Sequence, residues 1–95
     1  MKRKVLLDPT HAAPALRSKP PPIKRKVKAA LRLLANDPSG TTNRLDIKRL
    51  DTALGQPMYR LRVGDLRIAF TLDKDVVVLR VFHRREGYGW VALME

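Results

Sequence analysis

The sequence has 95 residues, enough for a single small domain over 1–95 and no second one. Twenty Lys and Arg oppose nine Asp and Glu, a formal net charge of +11, so the partner such a surface selects is a polyanion or an acidic protein. A hydrophobic content of 44% excludes a disordered basic tail, and zero Cys excludes disulfides, thiolate metal sites and Cys nucleophiles together.

The apolar runs are far shorter than the ~20 residues that span a bilayer. Lys2-Arg3-Lys4 before Val5-Leu6-Leu7 also lacks the apolar core of a secretory signal, so the expected location is cytoplasmic, with no membrane partner. Lys4 to Leu7 reads as a short first strand stopped by Asp8-Pro9. Asp as N-cap with Pro at the first helical position then predicts a short helix through about Arg17. Pro20-Pro21-Pro22 reads as a stiff break. From Ile23 to Asn36, Ile23, Val27, Ala30, Leu31 and Leu34 fall on one helical stripe, with Lys24, Arg25, Lys26, Lys28 and Arg32 on the other side. Thr41 to Met58 has no clear period and reads as a long connection, with one helical turn near Ile47 to Leu50.

From Tyr59 the period becomes two. Tyr59, Leu61 and Val63 alternate with arginines, Gly64-Asp65 interrupts, and Leu66, Ile68, Phe70 and Leu72 resume the alternation. This predicts a hairpin with a two-residue turn, a second turn at Asp73-Lys74 and a Val-rich strand over Asp75–Phe82. The fold class is therefore α+β: an N-terminal strand, a helical hairpin and a three-stranded antiparallel meander, with the helices packed on one sheet face.

With Gly64 and Asp65 as the turn, Val63 pairs with Leu66, Arg62 with Arg67, Leu61 with Ile68 and Arg60 with Ala69. An even second turn pairs Arg67 with Arg80. An odd one would set Ile68 opposite Arg80 and bury the charge, so the even turn is expected. Arg62, Arg67 and Arg80 then form a ladder across three strands, with Arg60 diagonal to Arg67. Like charges directly opposite cost stability. A solvated face usually mixes signs, and planar guanidinium forks suit phosphate oxygens, so this face reads as an anion site rather than a surface without duty. His83, Arg84, Arg85 and Tyr88 follow at the strand end, bringing two cations and two proton-transfer groups. Neither His has metal-ligand spacing, and the five Gly are scattered singly with no phosphate-binding loop, so neither metal nor cofactor is expected.

The segment Tyr59-Arg60-Leu61-Arg62-Val63-Gly64-Asp65-Leu66-Arg67-Ile68, with Val76 through Glu86 and then Tyr88, resembles the RelE branch of the RelE/ParE toxin superfamily. The likeness extends over nearly the whole chain in the order of its elements. It implies a RelE-like fold and a toxin of a type II toxin–antitoxin pair that inhibits translation. Such toxins enter the ribosomal A site and cut mRNA, the RNA's own 2′-OH attacking the adjacent phosphate. On this resemblance the catalytic residues are Arg67 and Arg84, which stabilise phosphoryl charge, and Tyr88 as general base. On the same resemblance Arg60 and Arg62 would hold the RNA backbone; Arg80, which comes from the ladder and not from the family motif, and His83 and Arg85 at the strand end are further candidate RNA contacts. The implied partners are a RelB-like antitoxin, the ribosome and mRNA. Two alternatives stay open: a ParE-like inhibitor of DNA gyrase acting through protein contacts, and an inactive RNA- or ribosome-binding relative.

Overall fold

The computed structural model describes residues 3–37, 45–50 and 57–87. In chain order these form β1 (Val5–Leu7), α1 (Ala12–Arg17), α2 (Pro21–Asn36), β2 (Ile47–Leu50), β3 (Met58–Val63), β4 (Leu66–Leu72) and β5 (Val76–His83). The sheet has five strands in the order β1-β5-β4-β3-β2, rather than a meander of three. β1 runs parallel to β5 and every other pairing is antiparallel.

The N-terminal signals act one turn away from where the sequence places them. The Asp8 carboxylate accepts the His11 N–H at 2.7 Å and the Asp8 carbonyl accepts the Ala13 N–H at 2.9 Å, so Asp8 closes a turn and α1 begins at Ala12. Pro14 is the third residue of α1, where the backbone N–H has no intrahelical partner to lose. Pro20 does not merely break the chain. It caps α2, and its carbonyl accepts the Ile23 and Lys24 N–H groups at 3.0 Å each. Pro21 and Pro22 fill the first turn, where a missing donor costs nothing, so α2 starts two residues before Ile23.

One face of α2 is buried through Val27, Leu31, Leu34 and Ala35; α1 adds Ala12 and Leu16. These pack on the sheet face formed by Leu61, Leu66, Ile68, Phe70, Val76, Val78 and Val81. Tyr59 lies opposite Phe70 and stacks on it, ring centroids 5.6 Å apart. Ile23 sits at the edge of this stripe and is 37% exposed.

Ile47–Leu50 is not a helical turn but the edge strand β2, with Ile47 opposite Leu61 and Lys48 opposite Arg60. The β3–β4 register is the expected one, Arg62 facing Arg67 and Arg60 facing Ala69. The β4–β5 register differs. Leu72 pairs with Val76 around a three-residue turn, Asp73–Asp75, which taken alone would set Ile68 opposite Arg80. A bulge between the Ala69 and Phe70 positions absorbs Leu79 as an extra residue. Phe70 therefore faces Val78, Ala69 faces Arg80 and Ile68 faces Val81. Arg80 is thereby kept off the core face, but its partner is Ala69; Arg67 faces Phe82. The expected Arg62–Arg67–Arg80 ladder is thus corrected to two staggered rows, Lys48–Arg60–Ala69–Arg80 and Arg62–Arg67–Phe82.

Candidate functional site

Strand alternation puts Arg60, Arg62, Arg67 and Arg80 on the sheet face away from the helices. That face is not purely basic. Met58, Ala69 and Phe82 form a second buried cluster there, with Leu50 and Leu79 packed against it. The sequence reading missed this patch. Its one sequence signal is the strand position of Phe82, which shares a face with Arg67 once the bulge is counted.

Two carboxylates organise the arginines. Asp46 precedes β2 and continues its ladder, its carbonyl accepting the Arg62 N–H at 3.0 Å. From there its side chain reaches both arginines of β3, Arg60 at 3.5 Å and Arg62 at 3.9 Å. The Arg60 side chain is only 12% exposed, whereas Arg62 is 53% exposed. A cation as covered as Arg60 needs a counter-charge; Arg62 has ample water.

The second organiser is the β3–β4 hairpin tip. Gly64 takes φ +58°, a conformation a side chain disfavours, and so permits the tight turn. Arg67 curls back and donates to the Gly64 carbonyl at 3.0 Å and the Leu66 carbonyl at 3.1 Å. Arg84, in the turn after β5, reaches the same tip. Its N–H donates to the Asp65 carbonyl at 2.9 Å, and its guanidinium lies 3.6 Å from the Asp65 carboxylate. The tip therefore brings together the two arginines that the resemblance assigns to phosphoryl charge, from segments 17 residues apart (67 to 84).

His83 ends β5 opposite Leu66. Its Nδ1 accepts the Arg85 N–H at 3.1 Å, so the neutral ring carries its proton on Nε2. Its own N–H donates to the Glu86 carboxylate at 3.3 Å, and its carbonyl accepts the Glu86 N–H at 2.9 Å. His83 thus shapes the turn that carries Arg84 and the exposed Arg85. Tyr88 lies outside the described residues. Among the described residues no three His, Asp or Glu stand together as metal ligands, and no helix is long and apolar enough to cross a membrane.

On the helical side, β1 and α2 border a groove of about 610 Å³. Its floor is apolar, from Val5, Leu7, Leu31 and Ala35, and its rim is basic, from Lys4 and Arg32.

The sequence model of the family described as ParE toxin of type II toxin–antitoxin system, parDE, matches residues 6–88. The chain belongs to that family, within the RelE/ParE superfamily of type II toxins. Two solved structures match over nearly their full length. One is the archaeal RelE–RelB complex of Pyrococcus horikoshii OT3, at 25% identity and a TM-score of 0.72, covering 88% of this chain and 97% of that one. The other is the RelB–RelE antitoxin–toxin complex of Methanococcus jannaschii, at 27% identity and a TM-score of 0.69, covering 90% and 96%. No curated protein matches the chain. The fold is RelE-like and the protein is a RelE-like toxin.

Proposed function

We propose that this toxin is a ribosome-dependent mRNA endoribonuclease that acts without a metal and is held in check by a RelB-like antitoxin. The observation that carries the reading is the convergence of Arg67 and Arg84 on one hairpin tip, with Arg60 and Arg62 on the sheet face that Arg67 shares. In such a cut the 2′-oxygen bonds to the adjacent phosphorus and the bond to the 5′-oxygen breaks. A 2′,3′-cyclic phosphate and a free 5′-OH remain; a base takes the 2′ proton and the leaving oxygen gains one. Negative charge grows on the phosphoryl oxygens, and two guanidinium groups delivered to them from the hairpin tip lower that barrier. Arg60 and Arg62 hold the strand through its phosphates. Tyr88 is assigned as the base, and Arg80, His83 and Arg85 as outer RNA contacts.

The antitoxin contact fits the groove between β1 and α2, whose apolar floor and basic rim suit an acidic amphipathic segment. The similar archaeal toxins occur in complexes with RelB. Binding that survives high salt marks the apolar floor as dominant, and binding lost at moderate salt marks the rim.

Primer extension on a defined mRNA in a reconstituted translation reaction tests the reading, with wild type beside Arg67→Ala and Tyr88→Phe. Ribosome-dependent cuts that vanish in Arg67→Ala support it. No cuts from folded wild-type protein on competent ribosomes refute it. The ParE description of the matching family favours one second reading, inhibition of DNA gyrase. Expression that causes DNA damage without arresting translation would establish that reading instead.

A further inference from the structure

Each of the four site arginines already meets an oxygen of its own chain. Arg60 and Arg62 share the Asp46 carboxylate, Arg84 meets the Asp65 carboxylate, and Arg67 donates to two carbonyls. We propose that Asp46 and Asp65 are internal stand-ins for RNA phosphate: they neutralise the arginine face in the free toxin and give up their guanidinium partners to the substrate backbone on binding. The inference rests on the RNA-cleaving reading.

The contact geometry suits exchange. The three ion-pair distances run from 3.5 to 3.9 Å, longer than the ~2.7–2.9 Å of a committed charge-assisted hydrogen bond. The Asp46 and Asp65 side chains are 54% and 67% exposed, so a phosphate can approach from solvent where each carboxylate sits.

The register supplies the reason for such a device. Arg62 stands directly opposite Arg67 and Lys48 directly opposite Arg60, two like-charge pairs that a sheet pays for unless an anion lies among them. Asp46 reaches two of these four cations. With both carboxylates in place the four arginines and two acids carry +2; stripped of the acids they would carry +4. Arg67 differs from the rest, because its two acceptors are neutral carbonyls and its charge stays whole. A phosphate meets Arg67 at full strength and must compete for Arg62 and Arg84. A polymer offering several phosphates at fixed spacing can win both contests at once, and a single free anion cannot.

Fluorescence anisotropy with a 2′-O-methyl oligoribonucleotide, which lacks the attacking hydroxyl, tests this on Asp46→Asn, Asp65→Asn and the double variant over a range of salt. Asn keeps the side-chain shape and suits the turn at position 65. A unit charge removed ~6 Å from a phosphate in water changes affinity about threefold, so each single variant should bind about threefold tighter and the double about tenfold. The slope of log affinity against log salt should steepen by about 0.7 for each cation released to the RNA. Unchanged affinity and slope, or weaker binding, in the Asn variants would overturn the inference. Arg62→Ala separates the two levels. If it weakens binding while both Asn variants are silent, the stand-in role fails and the RNA reading stands; if it too is silent, both fall.

Discussion

Arg67→Lys asks whether the hairpin-tip arginine acts through its charge or through its shape. The guanidinium already donates from one terminal nitrogen to the carbonyls of Gly64 and Leu66, leaving its remaining donors for a phosphoryl oxygen. A lysine ammonium is one point with three donors. Held by those carbonyls it cannot also present a planar fork to the phosphate, and released from them it loses its aim. Loss of one fixed donor to a developing oxyanion typically costs about 10²–10³ in rate, so Arg67→Lys and Arg67→Ala should both fall by that factor in the single-turnover cutting of ribosome-bound mRNA. Their RNA binding should differ. Arg67→Ala removes one cation and should flatten the salt slope by about 0.7, whereas Arg67→Lys should keep the wild-type slope. The two carbonyl bonds lie near the surface at about 1 kcal/mol net each, so melting temperature should drop by no more than about 8–16 °C in either variant. Wild-type cutting by Arg67→Lys would refute the claim that the fork is used. A lost salt slope in that variant would refute the claim that charge and geometry separate here.

Phe70→Ala should destabilise by about 3–5 kcal/mol, because the ring is wholly buried and stacked on Tyr59; chemical denaturation measures it, and a loss below about 1.5 kcal/mol would contradict the packing. Arg62→Thr should raise stability by up to about 1 kcal/mol, since it removes a like-charge cross-strand pair and gives up only an exposed ion pair, while weakening RNA binding in the same preparation. Gly64→Ala should cost about 1 kcal/mol from its positive φ alone, because a Cβ there would meet nothing within 4 Å; a neutral melting shift would contradict the turn geometry. Phe82→Ser should destabilise by about 2–4 kcal/mol even though Phe82 lies outside the main core, because it belongs to the buried cluster among the arginines.

The hairpin was legible because alternation, a Gly-Asp turn and the need to keep arginines off the core all agree on one register. The strand β2 was not. Ile47 and Leu50 are three residues apart, a helical spacing, and only pairing with β3 makes the segment extended. Arg80 opposite Ile68 is the hazard at the second turn, and an even turn is not how the chain avoids it. The chain uses an odd turn and an extra residue at Leu79, and a bulge leaves no mark in an alternation pattern. A proline run suggests a barrier because proline blocks helix interiors, but the first turn is where its missing donor is harmless. Of the site, the arginines were legible from alternation and the family likeness. Their anchors were not: Asp46 precedes Arg60 by 14 residues and Asp65 precedes Arg84 by 19, and only the folded register brings them together.

The pairing of β1 with β5 sets an order of assembly. Val5 meets Val76 across 71 residues of sequence, and Arg3 reaches the carbonyls of Asp73 and Lys74 in the β4–β5 turn. Closing so long a loop is entropically unfavourable until a template exists, whereas β3, β4 and β5 follow one another through tight turns. Contact order therefore favours a meander that pairs before β1 docks on it. During synthesis the residues of β1 leave the ribosome long before those of their partner strand. A nascent toxin accordingly stays incomplete on one sheet edge until β5 has emerged, and the arginine tip at Gly64–Asp65 gains Arg84 in that same late interval.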